Sequence, residues 1–194
     1  AEPKEFFLRP PPQWPPPMKN AALYGLPGYV VNTILPHTES DAAGILGQFL
    51  ACFGNAIGRS ACFPVEASLH YANLYVVLVG KSAKGRKGTG WRWVESLFTD
   101  IVAPGWSKCI QGGLSSGEGL VWAVRDEVVK REPIKEKGRV TGYQDVVIAE
   151  AVRDKRLLVV EEEFAQVLKQ CSREGNILSV VLRQAWDTGI LRSM

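Results

Sequence analysis

At 194 residues, with 46% hydrophobic and 22% charged residues, the chain has the makeup of a globular domain with room for a core, which excludes a disordered tract or a fibrous repeat. Its formal net charge of +3 is too small to establish a nucleic-acid partner, although local clustering can still build a basic surface. Cys52, Cys62, Cys109 and Cys171 include no C-x-x-C pair, and His37 and His70 have no matching ligand pair nearby. Neither a zinc site nor a disulfide framework is therefore expected, and a reducing, cytoplasmic setting fits.

Residues 1–19 carry PPPQWPPP, which forms neither helix nor central strand and predicts an extended polyproline arm or linker, with Trp14 available to dock on the body. Residues 20–69 read as an N-terminal helical segment. A short helix is expected around Pro27 to Ile34, and Thr38 to Asp41 supply capping residues for a stronger one. There Ala42, Ile45, Leu46, Phe49, Leu50, Phe53, Ala56 and Ile57 recur at helical spacing, while Gly44, Gly47, Ala51, Gly54 and Gly58 form a stripe of small residues that lets another element come close. The uncharged run from Ala42 to Gly58 is interrupted by Gln48 and Asn55 and falls short of a membrane span. Phe63 to Leu69 reads as a strand, and His70 after it as a structural residue rather than a contact to a nucleotide base.

The most informative stretch is YVVLVGKSAKGRKGTGW, Tyr75 to Trp91. An apolar run, Leu74 to Val79, predicts a short buried strand that breaks at Gly80 into a glycine- and lysine-rich turn. After Thr89 the period changes, and Trp93, Val94, Leu97, Phe98, Ile101 and Val102 predict a helix ended by Pro104 and Gly105. Strand, glycine-rich turn and helix are what a triphosphate site needs, because glycines let backbone N–H groups close round oxygens and the helix N-terminus adds a favourable dipole. The stretch reads as a P-loop, one residue longer than G-x-x-x-x-G-K-[ST] and with Arg86 where a glycine is usual. Gly80, Gly85, Arg86, Lys87, Gly88 and Thr89 are its candidate nucleotide-binding residues. Lys87 is placed to reach the β- and γ-phosphates and the Thr89 hydroxyl to meet Mg²⁺, with Lys81 and Lys84 as the lesser alternatives.

Ser107 to Gln111 predicts a brief strand, followed by GGLSSGEGL and a helix carrying Leu120, Val121, Ala123, Val124, Val128 and Val129. Glu118 is the single carboxylate at that turn. It would either face the phosphate crevice and polarise a water, or stabilise the helix dipole. Lys130 to Tyr143 reads as a charged, solvated loop, and Asp145 to Arg156 as strand or short helix. Leu157 to Val160 then forms an apolar strand that ends in Glu161, Glu162 and Glu163. A buried strand ending in acids has the form of a Walker B segment, in which the first carboxylate orders Mg²⁺ through its waters and a neighbour accepts a proton from the attacking water. Phe164, Val167, Leu168 and Cys171 mark the next helix, Ser172 to Asn176 a turn, and Ile177 to Trp186 a last amphipathic helix. A nucleotide-binding sheet needs further strands, so the core, residues 70–194, is expected to be incomplete at its C-terminal end.

With these residues in view, the sequence resembles the uncharacterised P-loop family that forms the helicase-like part of many phage, plasmid and mobile-element replication proteins, often behind a primase-polymerase domain. The matching stretches are HTESDAAGILGQFLACFGNAIGR, NLYVVLVGKSAKGRKGTGW, GLSSGEGLVWAVRD, EKGRVTGY, KRLLVVEEEFAQVLK and REGNILSVVLRQAWD, which cover most of residues 20–187. The resemblance implies an α/β fold: a RecA-like P-loop NTPase core with a mostly parallel sheet flanked by helices. In it Lys87 and Thr89 hold MgATP, Glu161 and Glu162 are the Walker B acids, with Glu161 and Thr89 on the magnesium, and Glu118 and Glu162 are the catalytic candidates. It implies an ATP-driven helicase-like motor or loader in DNA replication, acting on single-stranded DNA, with a homo-oligomeric ring as the expected assembly, no membrane partner, and sensor and arginine-finger residues beyond Met194. The alternatives are a nucleotide-binding or assembly fragment without turnover, and a small-molecule kinase whose lid would be Lys130 to Tyr143.

Overall fold

The computed structural model describes residues 16–80, 87–101, 105–136 and 138–192. The proline-rich arm expected over residues 1–19 falls almost wholly outside them.

The first helical layer follows from apolar periodicity and one good cap. Helix α1 (Gly25–Ile34) buries Val30, Val31 and Ile34. Asp41 accepts from the Ala43 and Gly44 amides at 2.8 and 3.4 Å, satisfying two N–H groups that the first turn of α2 (Ala42–Ile57) leaves without partners. Ile45 and Phe49 of α2 are buried, as the spacing predicts; Cys52, outside the expected apolar face, is buried too, whereas Phe53 of that face is 40% exposed. The small-residue stripe admits the extended chain from Ala72 to Leu78. A Cβ on Gly47 would lie 3.2 Å from Val76 Cγ1, one on Gly44 would lie 4.0 Å from Leu78 Cδ1, and one on Gly54 would overlap the Ala72 carbonyl oxygen. That extended chain differs from the buried strand expected at Leu74 to Val79: it forms no ladder with another described strand, and Val77 and Val79 are 54% and 73% exposed.

Helix α3 (Lys87–Ile101) closes this layer by burying Val94 and Phe98. The Phe98 ring centroid lies 5.4 Å from that of Phe49 and 5.3 Å from that of Trp106, whose indole donates to Asn55 Oδ1 at 3.0 Å. Pairing a buried indole N–H in this way removes the cost of leaving it unbonded.

Strands β3 (Ile110–Gly112) and β6 (Leu158–Val160) run parallel in the register Ile110↔Leu158, Gln111↔Val159, Gly112↔Val160. Successive strand side chains point to opposite faces, and the packing follows. Ile110 and Leu158 lie against the α1–α2–α3 core, whereas Val159 lies against a second core of Leu120, Val167, Leu178 and Val181. This second core belongs to α4 (Gly117–Ala123), α5 (Phe164–Cys171) and α6 (Leu178–Asp187). The chain is thus mixed α/β, with helices on both faces of a short parallel ladder.

Parallel pairing does not predominate among the described ladders, because the other two are antiparallel hairpins. The single strand expected at Phe63 to Leu69 is a hairpin, β1 (Cys62–Val65) with β2 (Ser68–Tyr71), turned at Glu66 with φ of 52°. The charged loop expected at Lys130 to Tyr143 belongs to a second hairpin, β4 (Val128–Glu136) with β5 (Arg139–Ala149). Here Arg131 faces Asp145 and Glu136 faces Arg139, so opposite charges meet across the ladder. Val128 and Val129 therefore belong to a strand and not to the helix after Gly117. Lys155 explains the early stop, since its ammonium donates to the Val124 and Arg125 carbonyls at 2.9 and 2.6 Å and pairs with Asp126 at 2.7 Å, just beyond the end of α4.

Arg156 fixes the approach to β6. Its guanidinium donates to the Ala56 carbonyl in the last turn of α2 at 2.8 Å and to Asp154 at 2.6 Å. Arg156 beside Asp154 holds that carboxyl well below the usual carboxylate range, and Cys109 adds a hydrogen bond at 3.2 Å. The end of α2, the start of β3 and the start of β6 are thereby tied together.

If the glycine stripe is what seats residues 72–78, Gly54→Ala lowers the unfolding free energy by about 1–3 kcal/mol, the usual cost of overpacking against backbone. Gly80→Ala serves as control, because a Cβ there meets nothing within 4 Å and should change stability by less than about 0.5 kcal/mol. Urea unfolding of the two variants checks this, and equal midpoints would contradict it.

Candidate functional site

Lys87 opens α3, and its start is held from two sides. Gln48 of α2 donates to the Lys87 carbonyl at 3.1 Å, and the Lys87 ammonium reaches back to the Leu78 carbonyl at 3.4 Å. One turn further in, Gly90 allows close contact, since a Cβ there would stand 3.1 Å from Gln48 Oε1 and 3.2 Å from Ser40 Oγ. The N–H groups of Gly88 and Thr89 belong to the first turn of a helix, where backbone donors lack intrahelical partners. A Cβ on Gly88 would meet nothing within 4 Å, so its surroundings are open.

These residues line a cleft of about 340 Å³ formed by Gly88, Thr89, Trp91, Arg92 and Glu162. Gly88 and Thr89 of the predicted lysine-glycine-threonine stretch and Glu162 of the acids after β6 therefore line one cleft, whereas Lys87, Glu161 and Glu163 are not among its lining residues. The cleft lies where the chain leaves β6 at its carboxyl end, the usual ligand side of a parallel ladder. Its cationic side chain is Arg92, one turn after Thr89, and its acid is Glu162.

The two neighbouring glutamates do different things. Glu161 is half-buried, and its carboxylate accepts from the Leu114 amide at 3.1 Å and from the Glu163 amide at 3.3 Å. It stitches the loop after β3 to the loop after β6. Glu162 is exposed and lines the cleft.

Glu118 is exposed on the first turn of α4, where Ser116 accepts from the Gly119 amide at 3.0 Å, and it lines neither this cleft nor the one beside it. Gly80 ends the extended chain in open surroundings. Gly85 and Arg86, with the alternatives Lys81 and Lys84, lie outside the described residues. His70 is exposed on β2 opposite Phe63.

Trp91, Arg92 and Gln48 were not legible as site residues. Arg92 had a local signal, its position one helical turn from Thr89, but the role of Gln48 arises only when α2 packs on α3.

Other reactive groups lie elsewhere. Burial, with Glu95 adding to it, pushes the Cys52 thiol up to about 12, and burial followed by the Asp154 contact raises that of Cys109, so neither supplies a thiolate at neutral pH. Among the described residues no three His, Cys, Asp or Glu side chains form a group able to hold a metal unaided. No described helix is long and apolar enough to cross a membrane.

Comparison of the chain with protein-family models, curated proteins and solved structures returned no match. The class defined by fold and site is accordingly structural: a mixed α/β chain with a cleft at the end of a short parallel ladder, bounded by a helix N-terminus, an arginine and a carboxylate.

The division of labour between the glutamates is open to test by stability alone. Glu161→Ala, which leaves two backbone N–H groups without their acceptor, should cost about 1–3 kcal/mol, whereas Glu162→Ala should change stability by less than about 0.5 kcal/mol. Equal losses in denaturant titrations without ligand would contradict the assignment.

Proposed function

We propose that the chain is an ATP-binding and hydrolysing P-loop domain, with a RecA-like core, of a helicase-like motor or loader acting on DNA. The observation that carries this reading is the meeting of Gly88 and Thr89 with Glu162 in one cleft. A polyphosphate is recognised by backbone donors at a helix N-terminus and by cationic side chains, and α3 offers both, through its first turn and through Lys87 and Arg92. The resemblance of the lysine-glycine-threonine loop to that of replication-associated ATPases supplies the DNA and motor part of the proposal.

Magnesium fits the donors present, since it prefers oxygen and keeps several waters when shared with phosphates, so a cage of three carboxylates is unnecessary. Thr89 and Glu162 would hold it, and when bound it neutralises charge on the phosphate oxygens. Lys87 steadies the triphosphate. Its ammonium, now on the Leu78 carbonyl, exchanges a neutral acceptor for an anionic one. Glu162 stands exposed beside the first turn of α3, while Glu161 fixes the loop from which it projects.

Calorimetry with MgATP tests the site. Lys87→Ala should weaken binding by about 10- to 100-fold, the range expected for hydrogen bonds to a charged group. Unchanged affinity would refute the phosphate reading. Hydrolysis measured with and without single-stranded DNA tests the motor: stimulation supports it, and ATP binding without turnover favours the alternative, a nucleotide-binding assembly module.

A further inference from the structure

A second hollow, of about 540 Å³ and open to solvent, is lined by Pro36, His37, Thr38, Glu39 and Thr89. Its size falls within the range of roughly 300–1,000 Å³ usual for small-molecule sites. It shares Thr89 with the cleft that holds Glu162, so the two hollows meet at one residue on the first turn of α3. Helical geometry explains the arrangement. With about 100° between successive residues, Gly88, Trp91 and Arg92 share the face toward Glu162, Gly90 and Val94 turn toward α2, and Thr89 and Trp93 lie between. The His37 ring is 6.1 Å from that of Trp93, on this intermediate side.

The chemistry of the two hollows differs. The Glu162 side joins an arginine, a carboxylate and backbone donors, which suits phosphate, metal and water. The Pro36 side presents a pyrrolidine ring and an exposed imidazole steadied by an indole, together with the polar side chains of Thr38 and Glu39. Flat apolar surface with a polar margin is what a nucleobase and its ribose require, because every base offers a π face and an edge of donors and acceptors. The loop is held in shape, since Thr38 Oγ1 donates to Ser40 Oγ at 3.0 Å and accepts from the Ser40 amide at 3.1 Å, while Ser40 is buried against Gly90.

We infer that the cavity formed by Pro36, His37, Thr38 and Glu39 beside Thr89 is a nucleoside subsite, with the base stacked on His37 and the phosphates passing Thr89 toward Glu162. The inference rests on the phosphate reading above and adds a direction: the nucleoside end lies toward the loop between α1 and α2, and the terminal phosphate toward β6. His37 is then a binding residue that sets preference for a nucleotide over a bare polyphosphate.

The test compares two probes, MgATP and magnesium tripolyphosphate, by calorimetry on the whole chain. The unaltered protein should bind ATP more tightly than tripolyphosphate. His37→Ala should weaken ATP binding about tenfold, the order of loss for removing one stacking partner, and leave tripolyphosphate binding unchanged. His37→Phe, which keeps a flat ring, should restore most of the ATP affinity. Circular dichroism confirms that both variants fold. Tripolyphosphate binding that persists while His37→Ala leaves ATP affinity intact overturns the subsite and spares the phosphate reading. Equal losses for both probes also overturn it. If the unaltered chain binds neither probe, the phosphate reading fails and the subsite falls with it.

Discussion

The close approach of backbone to helix along the glycine stripe of α2 is the constraint on which the other parts depend. Because Gly44, Gly47 and Gly54 lack side chains, residues 72–78 lie directly on the helix, with the Ala72 carbonyl against Gly54. The Leu78 carbonyl is thereby brought to the Lys87 ammonium, while Gln48, on the same helix, holds the Lys87 carbonyl. Leu78 and Lys87 are thus both held against α2. Side chains along that stripe would push the extended chain outward and separate Leu78 from Lys87.

A second set of links fixes the acidic side of the cleft. Arg156 joins the last turn of α2 to the chain entering β6, and Glu161 joins the chain leaving β6 to the loop after β3. Glu162 is therefore carried on a short segment held at both ends, although its own side chain is exposed. Positioning by half-buried neighbours combined with solvent access for the side chain itself is the arrangement a binding site needs. The same logic explains why adjacent glutamates differ: strand-end geometry turns one toward the backbone and the next toward the cleft.

Local signals made much of this legible. Asp41 capped α2 as its position required, the small-residue stripe marked a close approach, and the apolar run before Glu161 became β6. Long-range pairing was not legible. The β4–β5 hairpin lacks apolar alternation, and its cross-strand pairs, such as Arg131 with Asp145, read in sequence as a solvated charge run. The β1–β2 turn has Glu66 at positive φ where a glycine or asparagine would have signalled a hairpin. Helix α4 ends early through Lys155, a residue distant in sequence, and the valines after it periodically resemble a helix face although they form a strand. The run from Leu74 to Val79 carried the apolar content of a strand, but content does not supply a ladder partner. Of the residues that line the candidate cleft, Gly88, Thr89 and Glu162 carry a motif signal, whereas Arg92, like the supporting Gln48 and the Pro36–Glu39 loop, depends on how α3 packs.

The central claim is that one nucleotide spans the first turn of α3 and the carboxylate after β6. Crystals grown with Mn²⁺ and a non-hydrolysable ATP analogue test it most directly, because manganese is located by its anomalous scattering. The metal and terminal phosphate are expected in the cleft lined by Gly88, Thr89, Arg92 and Glu162. A nucleotide seated elsewhere, with Glu162 turned away from the metal, would contradict the claim.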